Sequence, residues 1–290
     1  MGEPKRIRAS RVVTFDIDLP KGEVATISPV FDVHAEGKRC AYDKLKAELE
    51  ARAGENHYAF LGGDVLDMIT PRDLMRFQPS VQSESLHGRD DWADAAVEVA
   101  SERISSIDGV KILGVGVGNH EHQYTKRHGF DVTSALAHRL KCARLGMSGV
   151  IRLRIKQPDQ DRSKCEVFTI VWHHGAWGGE VINGFGRAWR YFNVFRDWHV
   201  ALFGHNHWTK VEPERRWRIS PTGKLVEVPV YLAACGTFSD GYDPVEAFDI
   251  DYSDLKGYAP SQPAMCPWVK VRHVRSGSRL DYGMGVGLYE

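Results

Sequence analysis

Apolar and polar positions alternate along 11–18 (RVVTFDID), the period of a half-buried strand, and Leu19-Pro20-Lys21-Gly22 ends that run as a turn. A second apolar run, 24–30, predicts a strand leading into Asp32. Over 42–53 the period lengthens to that of a helix, with Tyr42, Leu45, Leu49 and Ala53 on one face. The run 57–61 predicts a short buried strand that stops at Gly62-Gly63-Asp64. Residues 91–107 (DWADAAVEVASERISSI) predict an amphipathic helix, 110–117 a strand ending at Gly118-Asn119, and 130–141 a further helix. Strands are expected at 150–155 and 165–172, joined by a charged hairpin loop over 157–164. Later strands are expected at 199–203, 226–234 and 268–274. Two stretches read as insertions. These are 68–110, and 176–197, which is Gly-rich and then aromatic and basic, with Arg187, Arg190 and Arg196 among Trp189, Tyr191 and Phe192. The chain carries no repeat, low-complexity tract or linker, so 1–290 reads as one layered α/β domain.

Five of these strands end on polar clusters: Asp32-Val33-His34, Gly63-Asp64-Val65-Leu66-Asp67, Gly118-Asn119-His120-Glu121, His173-His174-Gly175 and Gly204-His205-Asn206-His207. Polar clusters at successive strand ends predict one site along the carboxyl edge of a sheet, where open α/β sheets bind ligands. Seven of the 13 histidines lie in or beside these segments. Asp64 and Asp67 follow an apolar strand and would be costly to bury unpaired. In extended chain, residues i and i+2 face the same way, so Asp32 with His34, and His205 with His207, can each grip one cation. Gly63, Gly118, Gly175 and Gly204 flank the clusters where the backbone must turn tightly.

Composition narrows the partners. Lys+Arg and Asp+Glu balance at 38 each, so no global field favours nucleic acid. The basic cluster Lys5, Arg6, Arg8 and Arg11 is explained by a terminal tail as well as by a phosphate-binding arm. Five cysteines without a C-x-x-C pair predict free thiols and a reducing compartment. No apolar run approaches the roughly 18 residues of a membrane span. The first ten residues lack the apolar stretch of a signal peptide. A cytoplasmic protein is expected.

With five blocks in the order D-x-H, G-D-x-x-D, G-N-H-[DE], H before a small residue, and G-H-x-H, the chain resembles the calcineurin-like metallophosphoesterase superfamily. The match runs over roughly residues 24–235, and the general look is similar to compact phosphoesterases of phages and bacteria. The resemblance implies a four-layer α/β/β/α sandwich and a dinuclear metal centre. Asp32, His34 and His207 would hold one metal, and Asn119, His174 and His205 the other, with Asp64 bridging. Carboxylate, amide and imidazole ligands together suit Mn²⁺, Fe or Zn²⁺ rather than Mg²⁺ or Ca²⁺. Two such ions about 3.5–4 Å apart lower the pKa of a bridging water and clamp a phosphoryl group. His120 would then protonate the leaving oxygen or stabilise phosphoryl charge, and Asp67 would orient it. Asp67 could instead be a carboxylate at a helix N-terminus, and Glu121 a helix cap. Of His173 and His174, which face opposite ways on a strand, the resemblance selects His174. Trp172, Trp177, Trp189 and Trp208 form either core and lid or a stacking wall for a base.

The expected activity is hydrolysis of phosphate mono- or diesters, on a small molecule or nucleotide, by a metal-bridging hydroxide. A DNA or RNA nuclease of the same fold is the alternative, with Arg187, Arg190 and Arg196 tracking a backbone. A non-catalytic interaction module is the third reading, although no ligand of the five blocks is missing.

Overall fold

The computed structural model describes residues 12–70, 73, 77, 83–158, 161, 165–175, 181–220, 222–239, 265–273 and 280–286. One mixed sheet has the order β1-β6-β7-β8-β10-β9, formed by Val12–Asp18 (β1), Ser148–Lys156 (β6), Glu166–His173 (β7), Val200–Phe203 (β8), Thr209–Ile219 (β9) and Leu225–Cys235 (β10). The other has the order β12-β11-β2-β3-β4-β5, formed by Val24–Val30 (β2), His57–Leu61 (β3), Lys111–Val115 (β4), Ala143–Arg144 (β5), Pro267–His273 (β11) and Leu280–Val286 (β12). Strands β2 to β5 run parallel, as do β7, β8 and β10. The helices are α1 (Tyr42–Glu50), α2 (Trp92–Ser105), α3 (Asn119–His128), α4 (Val132–Arg139) and α5 (Val181–Phe192).

Side-chain alternation assigns each strand residue to a layer. On β8, Val200 and Leu202 join a buried cluster with Ile27, Phe60, Ile151, Phe168, Trp172 and Val269, which draws on both sheets. Ala201 and Phe203, facing the other way, pack with Phe185, Ala188 and Phe192 of α5. On β3, Phe60 faces the cluster shared by the sheets, while Leu61 packs with Leu45 of α1, Val97 of α2 and Leu136 of α4. Strands buried on both faces read as continuous apolar runs, which is why 57–61 and 199–203 look so alike in sequence.

The expected strands and helices form with end shifts of a few residues. The 68–110 stretch includes α2, whose Ala95, Ala96, Val97, Ala100 and Ile104 belong to the helical core beside β2 and β3. The 176–197 stretch includes α5, which the glycines Gly184 and Gly186 disguise in sequence. Three elements were not expected: α3 (NHEHQYTKRH), which carries no apolar period, and β9 (TKVEPERRWRI) and β12 (LDYGMGV), whose apolar residues alternate among charged or glycine positions. The first is held by its ends, with the Glu121 side chain accepting the N–H of the N-cap Gly118 and a left-handed C-cap at Gly129. No helix among the described residues is long and apolar enough to cross a membrane, and no disulfide is present among them. The basic cluster at 5–11, most of the 157–164 loop and Trp177 lie outside the described residues.

His57 opens β3 inside the core, with Nε2 2.9 Å from Ser28 Oγ and Nδ1 buried without a hydrogen-bond partner. Burial first, and then the Arg52 guanidinium, lower its pKa from 6.5 to about 4. The unfolded chain therefore takes up this proton near pH 6.5 while the folded one resists until about pH 4. The stability involved is full above the upper value and is lost as pH falls through the window. Replacing His57 by Gln is expected to flatten that acid-side loss by on the order of 2 kcal/mol, read from urea midpoints at the two ends of the window. An unchanged slope would mean that His57 protonates in the folded state as it does in the unfolded one.

Candidate metal centre

All five polar clusters arrive at one place because the strands preceding them, β2, β3 and β4 in one sheet and β7 and β8 in the other, end on the same side. Hydrogen bonds join the sheets there. His174 Nδ1 donates to Gly62 O at 3.2 Å, and the His205 N–H donates to Asp32 Oδ2 at 2.8 Å.

The side chains divide into two adjoining groups. Asp32, His34 and His207 bring ligand atoms within 4.8 Å of one another, and so do Asp64, His174 and His205. Asn119, the first residue of α3, joins the second group through its Oδ1, 3.0 Å from His174 Nε2. That same nitrogen lies 3.1 Å from Asp64 Oδ2, and Asp64 in turn stands 4.0 Å from His120 Nε2 on the side of the first group. Asp67 Oδ1 lies 3.0 Å from His34 Nδ1 and 3.2 Å from His120 Nδ1, and the Asp67 main-chain O also accepts from His120 Nδ1. The close grouping of His34, Asp67 and His120 is thus explained by hydrogen bonds at Nδ1.

The first group has two atoms that protein does not satisfy. Asp32 Oδ1 and His34 Nε2 are buried and have no hydrogen-bond partner, with His207 Nε2 3.7 Å from the former. Because Asp67 takes up the His34 Nδ1, Nε2 is left to face Asp32 and His207, the arrangement of a histidine oriented for a cation. Buried polar atoms normally find partners, and a divalent ion fits the three donors here.

Extended backbone does not produce these pairs. Asp32, His34, Asp64, His205 and His207 have φ of 51°, 50°, 47°, 70° and 56°, all in the left-handed region. The expectation that each i, i+2 pair shares one cation along extended chain is therefore corrected: Asp32 and His34 meet in the first group through two left-handed residues after the strand has ended, while His205 and His207, also left-handed, part into the second and first groups. Such conformations cost of order 1–3 kcal/mol each and persist where the surroundings over-determine them. At Gly63 and Gly175 glycine meets a torsion, with φ of 103° and 116°, and at Gly118 and Gly204 it is required for contact. A Cβ on Gly118 would lie 2.0 Å from Asp64 Oδ1, and one on Gly204 2.6 Å from Asp32 Oδ2.

Two buried carboxylates hold the Asp64 loop. Glu121 accepts from the N–H groups of Asp64, Val65 and Leu66, and from Gly118, at 2.8–3.1 Å. It is therefore both the helix cap and a clamp on the loop. Glu36 accepts from the N–H groups of Asp67 and Met68 at 2.9 and 2.8 Å. Glu36 escaped the sequence reading, although an acid between Ala35 and Gly37, two residues past His34, was a visible anomaly.

Charge is shared unequally. Burial and the neighbouring Asp64 raise the Asp32 carboxyl to about 7, with His174 and His34 opposing. Asp64 is held well below the usual carboxylate range, because His174 and His120 outweigh its burial. Burial pushes His120 down, but Asp64 and Asp67 outweigh it and raise it to about 10. His174 reaches about 9 for the same reason, with Asp64 as its main partner. Burial and the adjacent histidines lower His205, and lower His207 to about 3. Neutral imidazole is the ligating form.

No family model matches the chain, and no curated protein matches it. Among solved structures it is similar to Chaetomium thermophilum Vps29, at 9% identity and a TM-score of 0.34, over 91% of this chain and 97% of that one. A likeness at that score carries no weight for fold or function.

His173 ends β7 facing away from the two groups, with Nδ1 accepting the Gly175 N–H and its ring 4.9 Å from Tyr191. Trp172 is buried between the sheets as a core residue, and Trp189 of α5 is partly buried and packs edge-on against Trp198. Trp208 is half-buried. Arg187 and Arg190 lie exposed on α5, and Arg196 is exposed beyond its end.

Proposed function

We propose that this chain is a dinuclear-metal-dependent hydrolase of phosphate esters, acting on a small molecule or nucleotide. The observation that carries the reading is the pair of buried atoms without partners, Asp32 Oδ1 and His34 Nε2, grouped with His207 and adjoining a second group of donors. The five ordered blocks add to it, as does a layering of α1, α2 and α4, two sheets, then α5, which is consistent with a four-layer α/β/β/α sandwich of the metallophosphoesterase type.

Asp32, His34 and His207 would hold one cation, and Asn119, His174 and His205 the other, with Asp64 between them. Bound there, Mn²⁺, Fe or Zn²⁺ would supply Lewis acidity toward a phosphoryl oxygen and a water of lowered pKa. The remaining chemistry belongs to the chain. Asp67 fixes the His120 ring at Nδ1 and leaves Nε2 as the proton-bearing atom toward the site. His120 gives that proton to the leaving oxygen or stabilises phosphoryl charge. The sheet ends bury Asp32, His174 and Asp64 and keep water from their unligated faces.

The test is a substrate panel with the metal-stripped protein and added Mn²⁺: a nitrophenyl monoester, a bis-nitrophenyl diester, nucleotides, cyclic nucleotides, and single- and double-stranded DNA. Hydrolysis of an ester that appears with Mn²⁺ and disappears with chelator is expected. Two bound ions without turnover of any ester would favour a metal-binding interaction module instead. The nuclease reading draws on Arg187 and Arg190, exposed one helical turn apart on α5. It requires DNA affinity that falls steeply with salt, which the small-substrate reading does not.

A further inference from the structure

The loop that carries Asp64 and Asp67 donates five consecutive main-chain N–H groups to two buried carboxylates. Glu121 takes those of Asp64, Val65 and Leu66, and Glu36 those of Asp67 and Met68. The division follows the metal centre. Glu121 holds the half that carries Asp64, and Glu36 the half that carries Asp67. We propose that Glu36 is a positioning residue for the His34 side of this centre: by fixing the Asp67 main chain, it lets one residue hold both His34 and His120 at Nδ1. The inference rests on the function proposed above.

Glu36 is 1% exposed, and both its oxygens are committed to main-chain amides. A neutral side chain could satisfy those amides with less desolvation. A carboxylate that meets two successive amides at once fixes the direction of the chain between them. Met68 immediately follows with φ 50°, a conformation that a loosened loop would abandon. Asp67 is unusually sensitive to such loosening, because it contributes three contacts. Its Oδ1 meets His34 and His120, and its main-chain O meets His120. A small shift of its backbone displaces all three together. Asp67 touches neither His174, whose ring is oriented from Gly62 O, nor His205, whose main-chain N–H is held by Asp32.

The experiment is Mn²⁺ titration of the metal-stripped full chain by calorimetry, with melting temperature followed in parallel. His207→Ala identifies which binding step belongs to the His34 group. Glu36→Gln, which keeps the volume but leaves one acceptor, is expected to weaken that step by about 10–100-fold and to leave the other step unchanged. Adding Glu36→Gln to Asp67→Asn is expected to cost no more than Asp67→Asn alone, since both act through the same contact. Equal weakening of both steps, no weakening, or effects that multiply would each overturn the proposal. Imidazole nitrogen signals in the metal-free protein give a second readout: those of His34 and His120 shift in Glu36→Gln, and those of His174 and His205 do not. Wild-type protein that binds no Mn²⁺ defeats the proposed function. The nitrogen signals then decide on Glu36 alone, and unshifted His34 and His120 signals overturn its role. If Glu36→Gln fails to fold, Glu36→Asp, which keeps the charge and shortens the reach, carries the same measurements.

Discussion

Replacing Asp64 by Asn is expected to strip the protein of both cations while leaving it folded. Asn tolerates the left-handed backbone that Asp64 adopts at φ 47°, has the same size, and keeps an oxygen to accept the His120 N–H now 2.9 Å from Oδ1. What it loses is the charge that stands against His174 at 3.1 Å and His120 at 4.0 Å, between the two groups of donors. Elemental analysis after Mn²⁺ loading is expected to fall from about two ions per chain to well under one, with ester hydrolysis lost in step. A variant that keeps one ion firmly would show that Asp64 belongs to the His174 and His205 group alone and does not bridge.

The second large effect concerns His120. It stands beside Asn119, its ring lies 4.9 Å from that of His34, and its Nδ1 is taken up by Asp67. His120→Ala is expected to leave the metal content and melting temperature nearly unchanged and to lower the rate by about 10²–10⁴-fold, the usual contribution of a positioned general acid. The loss is expected to be greatest for alkoxide leaving groups such as ribose alcohols, and smaller for nitrophenolate, which needs little protonation. Equal loss on both would assign His120 to phosphoryl charge rather than to proton transfer. Loss of an ion would make His120 a ligand.

Most strands were legible because burial on one or both faces writes a period into the sequence, and 24–30, 57–61 and 165–172 needed nothing else. Their ends were legible too, since a buried strand that stops abruptly at Asp32, Asp64 or His205 must place a polar group where the sheet ends. The helix α3 was not legible: its residues are mostly polar, and what holds it is a cap at each end. Strands β9 and β12 carry a period of two that charged and glycine positions dilute, and each forms a hairpin with the strand next to it in sequence.

The sequence by itself determined which side chains have metal-binding chemistry, their order, and the strand that delivers each one. Those are local properties, set by residue type and by the period of the flanking run. Tertiary structure alone decided how they meet. The meeting of Asp32 with His34, and the division of His205 and His207 between the two groups, come from left-handed backbone that no extended-chain rule anticipates, and that only packing from both sheets can enforce. The position of His174 among the donors is set by Gly62 and Asn119, one at the end of the other sheet and one on a helix. The part of Glu36 depends on five amides brought to two carboxylates from 31 to 57 residues away along the chain. Contacts of that range leave no period to read, because each depends on where the rest of the chain has already been placed.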